Sequence, residues 1–319
     1  MNTDRDDAGR GTAASLPSLA TDRPLSAAAG WRPGIGIVGA GPVGTALGVA
    51  ISRAGWPVVA LASRNAARRD RFCALVPGAR AAADPSLLAT VADLIIVAVP
   101  DDAIAVATAQ IRLHRGQGLV HTSGALSAQI LARAAAEGGE IGSFHPLVSF
   151  TADVDRSVAD IAGATIAIEG DDRLVDVLED LAAAIGGDAV RLPSGTKAAY
   201  HAAAVLASGG LVALLDAIVA LGAIAGLDER GSLEAYGRLM ERTLANSRVV
   251  GVAAALTGPI ARGDVGTVAA HIAALEAHAP DVVELYLAAA RRQLRIAEER
   301  GSISPDRAAR VRDVLAKDV

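Results

Sequence analysis

The chain has 319 residues, of which 52% are hydrophobic and 20% charged, enough apolar material for two domains and too much for global disorder. Thirty Lys plus Arg against 35 Asp plus Glu leave a net charge of −5, which argues against binding phosphate backbones or anionic lipid, and 3% aromatic residues are too few for a base-stacking platform. Cys73 is the one cysteine, so an intrachain disulfide and a Cys-based zinc site are excluded.

Residues 1–30 are rich in Asp, Ser, Thr, Ala, Pro and Gly without an apolar period, and they read as a disordered tail. From Gly34 the pattern alternates. Short apolar runs at 34–38, 58–62, 94–99, 118–121, 141–144, 165–169 and 188–192 read as strands. Stretches 42–54, 65–75, 104–113, 128–136 and 171–185 between them read as helices. Strands separated by helices imply right-handed crossovers and a mainly parallel sheet. After Pro193 only Ala- and Leu-rich helical segments follow, broken near Gly226, Gly258, Pro280 and Gly301. The expected fold class is therefore α/β: a Rossmann-type, mainly parallel sheet at 31–193, followed by an all-α domain at 194–319. Stretch 202–227 is apolar except for Ser208 and Asp216. A central carboxylate is costly in lipid, so this stretch is expected to be a buried core or interface helix of a soluble, cytoplasmic homodimer.

Gly39-Ala40-Gly41-Pro42-Val43-Gly44 matches G-x-G-x-x-G between a predicted strand and a predicted helix, the context that makes it a dinucleotide loop. Gly39 permits the tight turn, Gly41 a close backbone approach to pyrophosphate, and Gly44 close helix packing. An NAD site places an acid about 20 residues on, at the ribose 2′-OH. Here Ser63 and Arg64 stand at that strand end, a hydroxyl and a guanidinium suited to a 2′-phosphate, so the expected cofactor is NADP. Val99, Pro100 and Asp101, at the end of a later strand, are expected along the same crevice, with helix capping as the alternative role of the acid.

Three further strand or helix ends carry chemistry. Ser123 follows a strand and is suited either to a substrate oxygen or to a helix cap. His145 precedes Pro146, and Lys197 lies one helical turn before His201 on the same face. A desolvated lysine there has a lowered pKa and can act as a proton donor. His271 and His278 form no metal-ligand pattern with the acids, and no metal is expected.

The Gly39 loop, His121-Thr-Ser-Gly-Ala-Leu-Ser127, Gly142-Ser-Phe-His-Pro-Leu147, Lys197-x-x-Tyr-His201 and Ala255-Leu-Thr-Gly-Pro-Ile-x-Arg-Gly-Asp264 occur in that order. Together they resemble Rossmann-like oxidoreductases whose helical C-terminal half is a domain of unknown function, relatives of β-hydroxyacid and 6-phosphogluconate dehydrogenases and of ketopantoate reductase. The resemblance implies that Lys197 transfers a proton, that Ser123-Gly124 binds substrate and that His145 contacts a substrate hydroxyl. His201 stands where those dehydrogenases carry Asn, and Gly209 where the group often carries Asn. Asn246, Thr257 and Arg262 are further candidates in the helical half. The expected activity is NADP-dependent hydride transfer to or from a small oxo or hydroxy acid, ketopantoate being one candidate. An imine reductase of the same fold and a non-catalytic NADP-binding sensor are the alternatives, and deazaflavin is the alternative cofactor.

Overall fold

Alternating side chains of a strand point to opposite faces, so a strand buried on both faces needs an unbroken apolar run. Ile35–Val38 (β1) and Leu94–Val97 (β4) meet that condition, with every residue buried. In the computed structural model, which describes Leu25 and residues 31–316, they are adjacent interior strands of an eight-stranded sheet. The others are Val58–Ala62 (β2), Arg80–Ala82 (β3), Gly118–His121 (β5), Glu140–Pro146 (β6), Thr165–Gly170 (β7) and Asp188–Arg191 (β8), in the order β3-β2-β1-β4-β5-β6-β7-β8. The order reverses between β1 and β4, the switch point outside which ligands bind in such sheets.

The chain divides into two compact units, residues 1–205 and 206–319. In the first, helices Pro42–Arg53 (α1), Ala66–Leu75 (α2), Ile104–Thr108 (α3), Val154–Ala159 (α4) and Asp172–Ala184 (α5) accompany the strands, and Lys197–Ala207 (α6) closes it. Ile35, Ile37, Leu47, Ile51, Leu61 and Ile96 belong to one core cluster, and Ile95, Val97, Leu88, Ile104 and Leu119 to another. Each such side chain contributes about 1.5–3 kcal/mol by leaving water.

The structure refines the expected elements in four places. β6 and β7 pair antiparallel, because the 147–164 connection returns at that edge instead of crossing over. The helix expected at 128–136 is only a 3-10 turn, Ala128–Leu131, too short a run to repay helix nucleation. The short edge strand β3 and helix α4 carry too few apolar residues to show in the sequence pattern. The tail expected at 1–30 lies outside the described residues except at Leu25, which is buried in the first core cluster.

The second unit is helical: Gly209–Ile224 (α7), Glu229–Val250 (α8), Val252–Ala255 (α9), Pro259–Arg262 (α10), Val265–His278 (α11), Val283–Glu299 (α12) and Pro305–Leu315 (α13). Its core is Val268, Ile272, Leu287, Leu294, Val311 and their neighbours. Among the described residues, Lys197–Ile224 is a helical run long and apolar enough to cross a membrane, with mean hydropathy 2.2. It is not a buried core helix, as one reading of 202–227 expected. α7 is covered at Ala217 and Gly222, the latter against Ser232 of α8, while Val212 is 65% exposed and Leu211, Leu214 and Ile224 are exposed with it.

Candidate active site

The turn after β1 is built by backbone constraints that only glycine meets. Gly39 has φ +107°, and a Cβ there would lie 2.2 Å from the Ala98 carbonyl oxygen. A Cβ on Gly44 would lie 2.0 Å from the Gly39 oxygen, so Gly44 lets α1 close onto the turn. Gly41 is different: nothing lies within 4 Å of where its Cβ would be. It is the N-cap of α1, with Pro42 in the first turn and no side chain capping the helix. Val43 and Gly44 thus continue a helix start whose N–H groups and positive dipole end are open to an anion.

A groove of about 490 Å³ runs past this turn. Gly39, Ala40, Gly41, Ser63, Arg64, Val99 and Pro100 line it, all expected there from sequence; Pro42, Val43, Gly44 and Asp101 do not. Arg68 and Asn65 join them, and Asn65 caps α2 by accepting from the Arg68 N–H at 3.0 Å. Arg69 donates to the Ser63 carbonyl at 2.5 Å, which leaves Arg64 and Arg68 as the guanidinium side chains along the groove. Asp84 also lines it, its carboxylate accepting from the Ser86 N–H at 2.8 Å.

Asp101, next to Pro100, leaves the groove and accepts from the Ser123 hydroxyl at 2.8 Å. The Ser123 Oγ in turn accepts from the Leu126 and Ala125 N–H groups at 3.0 and 3.2 Å. The Ser123 hydroxyl is thus tied into a turn of its own loop, while the helix cap that was its alternative role is supplied by Ser127, whose side chain accepts from the Gln129 N–H. The Ser123 carbonyl accepts from Lys197 Nζ at 2.7 Å. Lys197 is only 3% exposed and is one of just two lysines in the chain, with Lys317. β6, which runs parallel to β5, delivers His145 to the same place, and α6 delivers Tyr200 and His201. The His145 ring stands edge-on to both, with centroids 5.9 and 5.8 Å apart. A Cβ on Gly124 would lie 2.4 Å from His201 Nδ1 and 2.8 Å from His145 Nε2, so this glycine makes room for both imidazoles. Lys197, His145, His201 and Ser123, separated by up to 78 positions in sequence, are therefore one cluster.

The cluster is polar and only partly satisfied from within. Buried His145 Nδ1, Tyr200 Oη and His201 Nδ1 have no hydrogen-bond partner, a costly state unless a ligand or water supplies one. Burial pulls the Lys197 ammonium down to about 8, although Glu169 and Asp101 oppose the shift. Burial, helped by Lys197 and His201, pulls His145 down to about 4. His121, whose Nδ1 accepts from the Ser123 N–H and whose Nε2 faces the Ser127 carbonyl, is lowered to about 4 by burial and Lys197. Near neutral pH Lys197 is therefore an ammonium, and His145 and His121 are neutral imidazoles. Sequence reasoning gave Glu169 no role and quoted Tyr200 only within the Lys197 motif; a lone acid ending the apolar run of β7 was the available signal for Glu169. Asn246, Thr257 and Arg262 belong to the second unit.

The two histidines also predict acid lability. Unfolded imidazoles bind protons near pH 6.5 and these folded ones only near 4, so the unfolded state binds more protons in between. Stability is present above pH 6.5 and is lost as pH falls toward 4, by about 1.4 kcal/mol per unit for each histidine. The melting temperature should drop between pH 7 and 5; a flat profile would contradict these assignments.

Comparison with known proteins accords with this architecture. A Rossmann-like domain matches residues 24–146, and the family described as Domain of unknown function (DUF2520) matches residues 164–293. The chain is similar to protein TM1727 from Thermotoga maritima, with 26% identity, a TM-score of 0.66, and 83% of this chain and 99% of that one covered. It shares its fold with an imine reductase from Aspergillus terreus in complex with NADPH4, at 20% identity and a TM-score of 0.64, covering 88% and 99% of the two chains. The same holds for 1-pyrroline-5-carboxylate reductase from Streptococcus pyogenes, at 16% identity and a TM-score of 0.57, covering 84% and 99%. No curated protein matches the chain.

Proposed function

We propose that this chain, which joins a Rossmann-like domain to DUF2520, is an NADP-dependent reductase of small oxo acids. The observation that carries the reading is the buried Lys197 ammonium, held at 2.7 Å by the Ser123 carbonyl among unpartnered polar atoms, on the sheet edge that also bears the glycine turn. The residues present fit the cofactor: the open cradle at Gly41, the uncapped start of α1, and Ser63, Arg64 and Arg68 toward a 2′-phosphate. NADPH, when bound, supplies the hydride that reduces a carbonyl carbon. Lys197 then gives its proton to the alkoxide oxygen formed, completing the alcohol. His145, Tyr200 and His201 offer their free polar atoms to the substrate oxygens, and the Asp101–Ser123 bond keeps the lysine's acceptor in place.

Imine reduction is the second reading, favoured by the fold shared with imine and pyrroline-5-carboxylate reductases. The charge at Lys197 supports the oxo substrate instead. An ammonium stabilises a developing alkoxide and repels an iminium cation.

Titration of the wild type and Arg64→Ala with NADPH and NADH tests the cofactor. The wild type should prefer NADPH, and loss of a charged hydrogen bond should weaken NADPH about 10- to 100-fold while leaving NADH nearly unchanged. Equal or tighter binding of NADH by the wild type would overturn the assignment.

We also propose a soluble, cytoplasmic homodimer joined through the helical unit. Exposed Leu211, Val212, Leu214 and Ile224 of α7, with Leu239 and Leu244 of α8, support it, because so much apolar surface on a soluble protein marks an interface. Sedimentation should show a dimer at micromolar concentration, and Val212→Asp should shift it toward monomer. A wild type that sediments only as monomer would refute the proposal.

A further inference from the structure

Strand register lines up three polar residues on one sheet face: His121 on β5 pairs with Ser143 on β6, which pairs with Glu169 on β7. All three are buried, Glu169 at 9% exposure. A carboxylate so placed needs partners. Its Oε1 accepts from the Ser127 hydroxyl at 3.2 Å and its Oε2 from the Ala128 N–H at 3.4 Å. Those residues end the loop that begins at His121 and contains Ser123, whose carbonyl holds Lys197. His121 Nε2, 3.3 Å from the Ser127 carbonyl, closes the loop on itself. The loop is therefore fixed at one end by Asp101 and at the other by Glu169, and both acids attract the buried ammonium.

We infer that Glu169 is a positioning residue for Lys197: its carboxylate pins the loop that carries the ammonium's acceptor and supplies buried negative charge that keeps the amine protonated. This deepens the proposed reductase reading and assigns Glu169 a task distinct from substrate contact. The groups around Lys197 explain why the charge is needed. Asp101 after β4 is the other acid. His121 on β5 and His145 on β6 contribute no negative charge, nor does Tyr200 or His201 on α6. Burial alone favours the neutral amine, which has no proton to give.

The test needs neither cofactor nor substrate, so it can fail independently of the reductase reading. Because Lys197 and Lys317 are the only lysines, protein labelled with ¹³C at lysine Cε gives two lysine signals, and Lys317→Arg assigns them. In the wild type the Lys197 signal should titrate near pH 8. Glu169→Gln keeps an amide oxygen for the Ala128 N–H, lets the Ser127 hydroxyl turn to accept from the amide NH2, and removes the charge, so the midpoint should fall by about one pH unit. Ser127→Ala keeps the charge and should leave the midpoint near its wild-type value. An unmoved or raised midpoint in Glu169→Gln, or an equal fall in Ser127→Ala, would overturn the inference. If Glu169→Gln does not fold, Glu169→Met, which replaces the carboxylate with an apolar side chain of similar size, is read in the same way, and an unmoved or raised Lys197 midpoint again overturns the inference.

Discussion

Lys197→Met should reduce turnover of an oxo acid by about 10²- to 10⁴-fold, the usual cost of losing a general acid, with NADPH affinity nearly unchanged. The side chain of methionine fills much of the same buried volume, and the glycine turn and Arg64 lie on other elements, so cofactor binding has no reason to change. The pH dependence follows from the same group. Reduction requires the protonated amine, and Lys197 loses its proton near pH 8 in the folded protein. The wild-type rate should therefore fall as pH rises through about 8, and Lys197→Met should lack that limb. Normal turnover in a folded Lys197→Met would make the lysine structural. His145 would be a poor replacement as acid, because burial holds it neutral down to about pH 4.

The glycine turn should separate stability from binding. Gly39→Ala places a methyl 2.2 Å from the Ala98 oxygen at φ +107°, and neither backbone segment can move without disturbing β1 and β4. It should cost about 3 kcal/mol or more and abolish NADPH binding. Gly41→Ala meets open space at an ordinary φ of −81°, so stability should stay within about 0.5 kcal/mol of wild type. Its methyl would nevertheless occupy the cradle proposed for the pyrophosphate, and NADPH affinity should fall at least tenfold. Thermal melts and cofactor titrations on the two variants give the contrast. Full NADPH affinity in Gly41→Ala would mean that the turn is a packing device alone.

Much of the α/β unit was legible in the sequence because buried parallel strands demand continuous apolar runs. β2 and β5 fall at the expected residues, and β1 and β4 differ only at their ends. β3 was not legible: its three residues read Arg-Ala-Ala, and its pairing with β2 comes from the backbone rather than from apolar side chains. The antiparallel turn of β6 onto β7 was hidden because an apolar run does not record strand direction. At the site, residue types were legible and their pairings were not. Lys197, His145 and His201 could be picked out as polar groups beside apolar elements. That Asp101 holds Ser123, and that Glu169 reaches Ser127 from 42 positions away, depends on register across three strands. Whether α7 packs in its own core or stands exposed for an interface was left open, since an apolar helix reads alike whether its own chain or another covers it.

The most direct test of the central claim is NADPH oxidation by the purified wild type against matched panels of small 2-oxo acids and cyclic imines. The ammonium at Lys197 predicts NADPH-dependent reduction of an oxo acid, faster than with NADH and faster than any imine of similar size. Tight NADPH binding with no oxidation in either panel, or a clear preference for the imines, would contradict the account.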